Sequence, residues 1–342
     1  MSNNSRHSLL LLGISIACVV LFVLNISSGS VAIPVEEIFG RFFGGSFSKA
    51  SWETIVMDYR IPKAVTALLV GTALSIAGLQ MQTFFRNPLA GPYVLGISSG
   101  AGLGVALLVL AGSIIGFSGY AVGMWATIIA ASAGAVLVLL LMSLTAWKVR
   151  DSMTLLIVGL MFGSAVSALI AVLAFFADAE QLKMFTIWSM GSLGSTQSEQ
   201  LIGFILAIVV GLIPVLAMLK SYNAMLLGEN YASSMGVNVN NLRWAMIVST
   251  GILAGSATAF CGPIAFIGIA VPHMARLLFR TSDHKVLLPA SALIGMGVLL
   301  FCDTLAQLPG SVQTLPINAV TSLIGAPMVI WLIMRRNFSK EF

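Results

Sequence analysis

The sequence predicts an all-α polytopic membrane protein with about ten transmembrane helices. Of its 342 residues, 58% are hydrophobic and only 8% are charged, whereas a soluble domain carries about 25% charged residues. The mean hydropathy is +1.01. Apolar stretches of about 20 residues, the length that crosses a bilayer, recur along the chain. They are continuous, unlike the alternating segments of roughly ten residues that form barrel strands, and so they predict helices.

The predicted spans, in chain order, cover 9–27, 63–84, 93–111, 120–147, 153–177, 200–219, 242–261, 263–280, 286–307 and 315–334. The third and eighth are short or interrupted by glycine and proline, so the count is nine or ten. The first is predicted to be a retained helix, because its apolar stretch exceeds the roughly 7–15 residues of a signal peptide and no A-x-A site follows. With no soluble domain in view, residues 1–342 are predicted to form one transmembrane domain.

The basic residues predict that both termini are cytoplasmic, because cytoplasmic loops are enriched in Lys and Arg. With the N-terminus inside, 12 of the 17 basic residues lie on the cytoplasmic side and 5 on the other. This predicts a multi-pass membrane protein with both ends inside, and the net charge of +5 reflects the bias rather than binding to nucleic acid. The inside set is Arg6, Arg86, Lys148, Arg150, Lys220, Arg243, Arg276, Arg280, Lys285, Arg335, Arg336 and Lys340, and the outside set is Arg41, Lys49, Arg60, Lys63 and Lys183.

Three long polar connections are predicted, 28–61 and 178–199 outside and 220–241 inside. Connections of this length tend to be functional or to contain structure of their own. In the inside loop, Gly228 and Gly236 bound a segment that predicts a short helix, with Glu229 near its positive N-terminus. From the residues alone this helix is either an amphipathic segment on the membrane surface or a docking element for a soluble partner.

Glycines predict close helix packing and a weak internal repeat. Gly91-Pro92 and Gly262-Pro263 precede similar short segments, as in the interrupted helices of inverted-repeat transporters. Small residues at four-residue spacing let transmembrane helices approach closely. These pairs are Gly100/Gly104, Gly112/Gly116, Gly159/Gly163 and Gly251/Gly255.

The sequence lacks a convergent set of motifs for covalent chemistry. No catalytic residue, metal site or cofactor is therefore predicted in this chain, and it is not expected to be an enzyme. No lysine follows a glycine, which excludes a G-x-x-x-x-G-K-[ST] phosphate loop. The G-x-S-x-G at 96–100 opens an apolar helix and is interpreted as a glycine-rich helix start. Asp303 is the clear ionisable residue inside a predicted span, and an ion-coupled carrier would show more. The driving energy is therefore expected to come from another subunit.

Several stretches, in order from about residue 58 to 334, carry a resemblance. They are Arg60-Ile-Pro-Lys63 leading into Gly71–Gly78, then Gln82–Ala90, Leu95–Ala101, Leu227-Gly-Glu-Asn-Tyr-Ala232 with Met235-Gly-Val237, Gly262–Gly268, Val271–Arg276, Asp283–Pro289 and Ile324–Pro327. Together they resemble the FecCD-like permease family of type II ATP-binding-cassette importers, which carry ferric siderophores, haem and cobalamin.

The resemblance implies a transmembrane permease subunit, in the bacterial inner membrane, of an ATP-driven importer that moves an iron chelate into the cytoplasm. A ferric siderophore is favoured as the commonest cargo, with haem or cobalamin as alternatives. The implied partners are a second permease copy, expected to form a homodimer, two ATPase subunits that hold ATP and Mg, and an extracytoplasmic substrate-binding protein, all in membrane lipid and without nucleic acid. The alternative function is a secondary carrier coupled to an ion gradient.

The resemblance also implies roles for individual residues. The implied ATPase-coupling residues are Gly228, Glu229, Ala232 and Gly236; the residues that dock the binding protein are Arg60 and Lys63; and the cytoplasmic gate consists of Asn87, Leu89, Ser152 and Met153. The chain departs from the family pattern at Gln307, where a third basic docking residue is usual, and at Asn318, where glycine is usual.

Two of these roles carry expectations about geometry. Arg60 and Lys63 are one helical turn apart, so they can face one partner, although basic residues there also anchor helices at the headgroups. Ala232 is expected to face the ATPase as a small residue that allows close approach. Met225, Leu226, Tyr231 and Met235 are expected to be apolar contacts around Glu229.

Overall fold

The structure is a computed structural model that describes residues 3–31, 33–111, 123–149, 151–307 and 313–334, and within those ranges it contains helices and no strand. The helices are α1 (Asn3–Ser27), α2 (Val35–Phe42), α3 (Ala50–Thr54), α4 (Ile61–Phe84), α5 (Ile97–Val109), α6 (Met124–Lys148), α7 (Ser152–Phe176), α8 (Ala179–Ser189), α9 (Ser198–Ala217), α10 (Leu219–Met225), α11 (Glu229–Ser234), α12 (Val239–Cys261), α13 (Ile267–Phe279), α14 (His284–Ala306) and α15 (Ile317–Met334).

The predicted fold class is confirmed. Among the described residues, 7 helices are long and apolar enough to cross a membrane, and three shorter apolar helices, Ile97–Val109, Ile267–Phe279 and Ile317–Trp331, stand at the positions of the other predicted spans. Several predicted features lie outside the described residues: the start of the fourth span at 120–122, the Gly112/Gly116 pair, Arg150, Arg335, Arg336 and Lys340.

Some predicted boundaries are wrong for identifiable reasons. The second span does not begin at residue 63, because α3 runs through a π-helical turn, Ile55–Arg60, directly into α4. Pro62 lies in the first turn of α4, where a missing N–H costs little, so it does not end the helix.

The long connections contain structure of their own, as expected: α2 and α3 in the first, α8 in the second, and α10 and α11 in the third.

The helix α4 is at the centre of the fold and is buried along nearly its whole length. Its neighbours approach so closely that a Cβ atom built on Gly78 would lie 1.8 Å from the Gly268 carbonyl oxygen. A Cβ on Gly71 would lie 2.4 Å from the carbonyl oxygen of Gly295. Two backbones meet at each of these crossings, so only glycine fits there. The crossings join α4 to α13 and to α14.

The predicted Gly100/Gly104 pair also marks a close crossing. A Cβ atom on Gly100 would lie 2.5 Å from the Gly134 carbonyl oxygen, and one on Gly104 would lie 2.0 Å from the Ala130 carbonyl oxygen. Both contacts join α5 to α6. The expectation of tight packing at this pair is confirmed.

The two Gly-Pro segments of the predicted internal repeat both interrupt the helical path, and they touch each other. Each lies ahead of a helix of 13 residues, α5 or α13. The Tyr93 hydroxyl donates to the Ile264 carbonyl oxygen at 3.1 Å and accepts from the Ile264 N–H at 3.3 Å. A Cβ on Gly268 would lie 2.4 Å from Cδ of Pro92. The two interruptions therefore meet next to α4.

Candidate functional site

Four of the predicted site residues line one cleft, which we call the α11 cleft. It has a volume of about 670 Å³ and is lined by residues 84–86, 151–153, 227–231, 234 and 243. The predicted gate residues Ser152 and Met153 and the predicted coupling residues Gly228 and Glu229 are all in this lining. The fold thus brings together the predicted gate residues 152–153 and the predicted coupling residues 228–229, which are far apart in the chain.

The predicted short helix is confirmed as α11, and its bounding glycines have the expected function as turns. Gly228 has φ +102° and Gly236 has φ +83°, which are conformations that L side chains rarely adopt. Nothing lies within 4 Å of a Cβ built on Gly236, so its backbone conformation rather than crowding explains the glycine there. Glu229 occupies the first turn, near the positive end of the helix.

Glu229 is held by an arginine that sequence analysis did not select. The Arg243 guanidinium on α12 contacts both carboxylate oxygens, with Nη2 2.5 Å from Oε1 and 2.6 Å from Oε2, and with Nε 3.1 Å from Oε1. The Ser152 hydroxyl lies 3.4 Å from the same Oε1. The Arg243 side chain is buried. A forked guanidinium contact of this kind is among the stronger hydrogen-bonded ion pairs in proteins.

The turn before α7 is stabilised by a helix cap. Oδ2 of Asp151 accepts from Oγ1 and from the backbone N–H of Thr154, each at 2.7 Å. These hydrogen bonds, assisted by the charge of Arg243, lower the pKa of Asp151 below its ordinary value. A carboxylate with a lowered pKa stabilises the fold above its unfolded pKa and loses that contribution as the pH falls through the folded value. The cap is therefore fully charged near neutral pH.

The other two predicted gate residues lie beside the α11 cleft rather than in its lining. Oδ1 of Asn87 accepts from the Leu89 N–H at 2.9 Å, and the Asn87 carbonyl oxygen accepts from the Ala90 N–H at 3.1 Å. This is the local turn that asparagine side chains favour. Arg86 connects the turn to the cleft, because its Nη1 atom lies 3.1 Å from where a Cβ on Gly228 would be.

The expectation that Ala232 faces a partner is wrong. Its exposed fraction is 0%, and Met225 is buried as well. On α11 the exposed apolar side chains are instead Tyr231, at 53%, and Met235 just beyond its end, at 60%. Residues 231 and 235 are four apart and share one helical face, while 229 and 232 are three apart and share the face that Arg243 holds against the protein.

The preceding helix, α10, is fixed to the bundle by buried polar contacts. The Tyr222 hydroxyl donates to Gln80 Oε1 at 2.8 Å, and Gln80 Nε2 donates to Ser249 Oγ at 2.9 Å. Burial raises the pKa of Tyr222, so the hydroxyl remains a donor. These bonds join α10 to α4 and to α12.

A second set of contacts joins α10 to the start of α14. Asn223 Nδ2 donates to Asp283 Oδ1 at 2.7 Å, and the His284 backbone N–H donates to Asn223 Oδ1 at 2.9 Å. The Nε2 atom of His284 is 2.8 Å from Oγ1 of Thr83 on α4. Sequence analysis assigned no role to these polar residues, although Thr83, Asp283 and His284 lie in stretches that carry the family resemblance.

At the opposite end of α4, the predicted docking residues have partners within the chain. The Arg60 guanidinium donates to the Ile26 and Ser27 carbonyl oxygens, at 2.8 and 3.0 Å, and to the Val31 carbonyl oxygen. It thereby caps the end of α1, as arginines do at helix C-termini. Arg60 and Lys63 also line a cavity of about 570 Å³.

Lys63 is paired with the intramembrane carboxylate that the sequence singled out. Its Nζ atom lies 2.9 Å from Asp303 Oδ1, with side-chain exposures of 21% and 3%. Oδ2 of Asp303 accepts from Asn25 Nδ2 at 2.8 Å and from Gln307 Nε2 at 2.9 Å. The buried charge is therefore both neutralised and hydrogen-bonded, which a charge in this position requires.

The two departures from the family pattern both have structural roles. Gln307 supplies one of the hydrogen bonds to Asp303. Asn318 Oδ1 accepts from the Ala265 backbone N–H at 3.0 Å, which connects α15 to the interruption before α13. Within the described ranges, no group of three or more His, Cys, Asp or Glu side chains could hold a metal ion.

Comparison with known proteins agrees with this architecture. The model of the FecCD transport family matches residues 17–335. The vitamin B12 import system permease protein BtuC of Klebsiella pneumoniae is 34% identical over 329 residues, which are 95% of this chain and 93% of the relative. The hemin transport system permease protein HmuU of Yersinia pestis is 34% identical over 323 residues, 93% of this chain and 94% of the relative.

A solved structure, described as an inward-facing conformation of a metal-chelate type ABC transporter, superimposes with a TM-score of 0.82 at 27% identity. The superposition covers 96% of this chain and 99% of that one. The similarities extend over nearly the whole length of each protein. This chain belongs to the FecCD transport family, whose members are permease subunits of ABC transporters.

Proposed function

We propose that this chain is the permease of an ATP-driven importer that moves a metal chelate into the cytoplasm. The observation that carries the proposal is the near full-length similarity to permeases named for vitamin B12 and for hemin. Both named compounds are bulky chelates of a metal, and the two relatives are equally identical to this chain, so their similarity supports the class of cargo. Within that class we propose a ferric siderophore, with haem or cobalamin as alternatives.

Uptake into liposomes tests this function. The chain is reconstituted with its ATPase and its binding protein, and ⁵⁵Fe-siderophore, haemin and cobalamin are offered in turn. We expect uptake of one chelate to require MgATP and to stop when the ATPase carries a substitution that blocks hydrolysis. Uptake that follows an ion gradient without ATP would show a secondary carrier instead.

The proposed assembly contains two permease copies, two ATPase subunits and an extracytoplasmic binding protein. The path lies between the two copies, and Ser152, Met153, Asn87 and Leu89 form its cytoplasmic gate. Exposure of Met153 in the α11 cleft supports its place in the gate, because an apolar side chain there is free to meet a second copy. The two copies are proposed to be identical. Size-exclusion chromatography with light scattering measures the mass of the purified permease and so tests the homodimer.

The ATPase contact is proposed to be the outward face of α11. Tyr231 on α11 and the flanking Leu227 and Met235 form an exposed apolar group, of which Leu227 and Tyr231 also line the α11 cleft. Exposed apolar groups rimmed by polar residues mark protein interaction sites, and aromatic side chains dominate their binding energy. Gly228 and Gly236 set the position of this face. Glu229 and Ala232 lie on the opposite, inward face of α11, where Arg243 of α12 holds Glu229 and Ala232 is buried.

We expect Tyr231→Glu to weaken ATPase binding by roughly thirty-fold, since loss of an aromatic contact at the centre of an interface costs about 2 kcal/mol or more. Co-purification and titration with the isolated ATPase measure the change. Ser282→Glu is the matched control, because Ser282 is also exposed but lies in the separate connection before α14. If the two variants bind the ATPase equally well, the proposed contact is wrong.

The proposed orientation places α11 in the cytoplasm and α2 outside. Ser234 and Ser48 are both exposed, and the native cysteines Cys18, Cys261 and Cys302 are buried. A cysteine at Ser48 is expected to react with an impermeant maleimide in cells whose outer membrane is permeabilised, whereas one at Ser234 reacts only after the inner membrane is opened. The reverse pattern would overturn the orientation.

A further inference from the structure

The connection between α9 and α12 has two halves that are held in different ways. The first half, α10, is fixed by Tyr222 and Asn223, which bond to side chains of α4 and α14. The second half, α11, is held differently. Side-chain hydrogen bonds of Glu229 join α11 to Arg243 of α12 and to Ser152 in the turn before α7.

Two glycines stand at the ends of α11, where a change in φ and ψ would move the helix as a unit relative to α10. Gly228 separates the helices with φ +102°, and Gly236 separates α11 from α12 with φ +83°. Hinges are a few loop or terminal residues that absorb changes in φ and ψ. A force on the exposed face of α11 is therefore passed to the rest of the chain through its packing and through the Glu229 carboxylate.

Arg243, which contacts the Glu229 carboxylate, lies on α12, and α12 is packed against the rest of the protein. Arg243 is buried in the first turns of α12, and further along α12 Ser249 accepts a hydrogen bond from Gln80 of α4. Three short contacts fix the direction of the Glu229 carboxylate, and Ser152 approaches the same oxygen that Arg243 holds. A guanidinium holds a carboxylate in a fixed plane, whereas a lysine ammonium offers a single point of contact.

From this geometry we infer that Arg243 is a positioning residue for transport. Because Arg243 holds the Glu229 carboxylate, a movement of α11 also moves α12 and the turn at Ser152 and Met153. The inference rests on the proposed function, since it assumes that ATP-driven force arrives at α11. It assigns the coupling step to an ion pair inside the permease, separate from the surface that binds the ATPase.

The experiment measures the number of ATP molecules hydrolysed per cargo molecule imported by the complete complex in liposomes. We expect Arg243→Gln and Arg243→Lys to bind the ATPase normally and to hydrolyse ATP, while import falls by about tenfold, in the range of typical coupling between sites. Glu229→Gln should have the same effect, and Glu229→Gln with Arg243→Gln should be no worse than either alone, because both remove one interaction. Arg41→Gln is the control, because it removes a different arginine–glutamate pair, 3.2 Å long and exposed.

An unchanged ratio of ATP to cargo in the Arg243 variants would overturn the inference. So would loss of ATPase binding in the Arg243→Lys complex, since that would indicate a structural role. Additive effects of the Glu229 and Arg243 substitutions would also contradict it. Failure of the unsubstituted complex to import with ATP would refute the proposed function itself, and that result is distinguished by the parallel unsubstituted sample.

Discussion

Replacing Gly78 with alanine is expected to prevent α4 from packing on α13 and to remove most of the folded permease from the membrane. The new Cβ would lie 1.8 Å from the Gly268 carbonyl oxygen, and no rotamer change relieves a contact between a Cβ and a backbone atom. Overpacking costs about 1–3 kcal/mol, and occasionally more. We expect the upper end or beyond, because the whole of α13 must move away from α4.

Gly13→Ala is the matched control for this substitution. Gly13 is also in an apolar helix, but nothing lies within 4 Å of a Cβ built there. Alanine in a helix interior is favoured over glycine by roughly 0.5–1 kcal/mol, so the control should be neutral or slightly stabilised. Membrane levels and the thermal transition of detergent-extracted protein measure both variants. Equal levels and equal transitions would contradict the described crossing.

The second large effect is expected from Lys63→Met. The substitution leaves the Asp303 carboxylate buried with hydrogen bonds from Asn25 and Gln307 but without a counter-charge. Removing one member of a buried ion pair costs about 3–5 kcal/mol. The detergent-extracted variant should therefore unfold at a much lower temperature than the unsubstituted protein.

The pair Lys63→Gln with Asp303→Asn provides the control and also tests docking. Both charges are removed together, so we expect most of the stability to return. If Lys63 meets acidic residues of the binding protein, association at low salt should be slower for this double variant, and faster for Asp303→Asn alone, which frees the ammonium. Association rates that are identical in all three proteins would leave Lys63 with the structural role alone.

Replacing Arg60 is not a clean test of docking. Its guanidinium binds three carbonyl oxygens at and beyond the end of α1, so a glutamate there would place a carboxylate against acceptors. Any change in association would then include the loss of this cap. Lys63, whose side chain is partly exposed and which is paired with Asp303, is the better position for the experiment.

The helical fold could be predicted because its cause is local. Apolar stretches of membrane-spanning length, and glycines or prolines that interrupt them, can be recognised in a single segment. The continuation of α3 into α4 through the π-helical turn at Ile55–Arg60 was not predicted, because residues 28–61 were interpreted as a polar connection between spans.

The candidate site was predicted in part because its turns depend on glycine, whereas its contacts depend on distant residues. Gly228 and Gly236 mark the ends of α11 whatever surrounds them. The partner of Glu229 is fixed by how α12 passes the loop, so nothing in the sequence distinguishes Arg243 from the other basic residues near the membrane surface. The burial of Ala232 follows from the same contact, because the face that carries Glu229 must turn inward.

The central position of α4 has a consequence for how the protein is made. α4 ends at residue 84, but its closest neighbours, Gly268 and Gly295, are among the last parts of the chain to be synthesised. At about 5–20 residues per second, the ribosome needs roughly 10–40 s to reach them. During that time Gln80 and Gln82 lack the partners that they have in the finished protein, Ser249, Tyr222 and Arg276. The nascent helix is therefore expected to need other partners for these side chains, or shelter by the insertion machinery, until α10, α12 and α13 have been made.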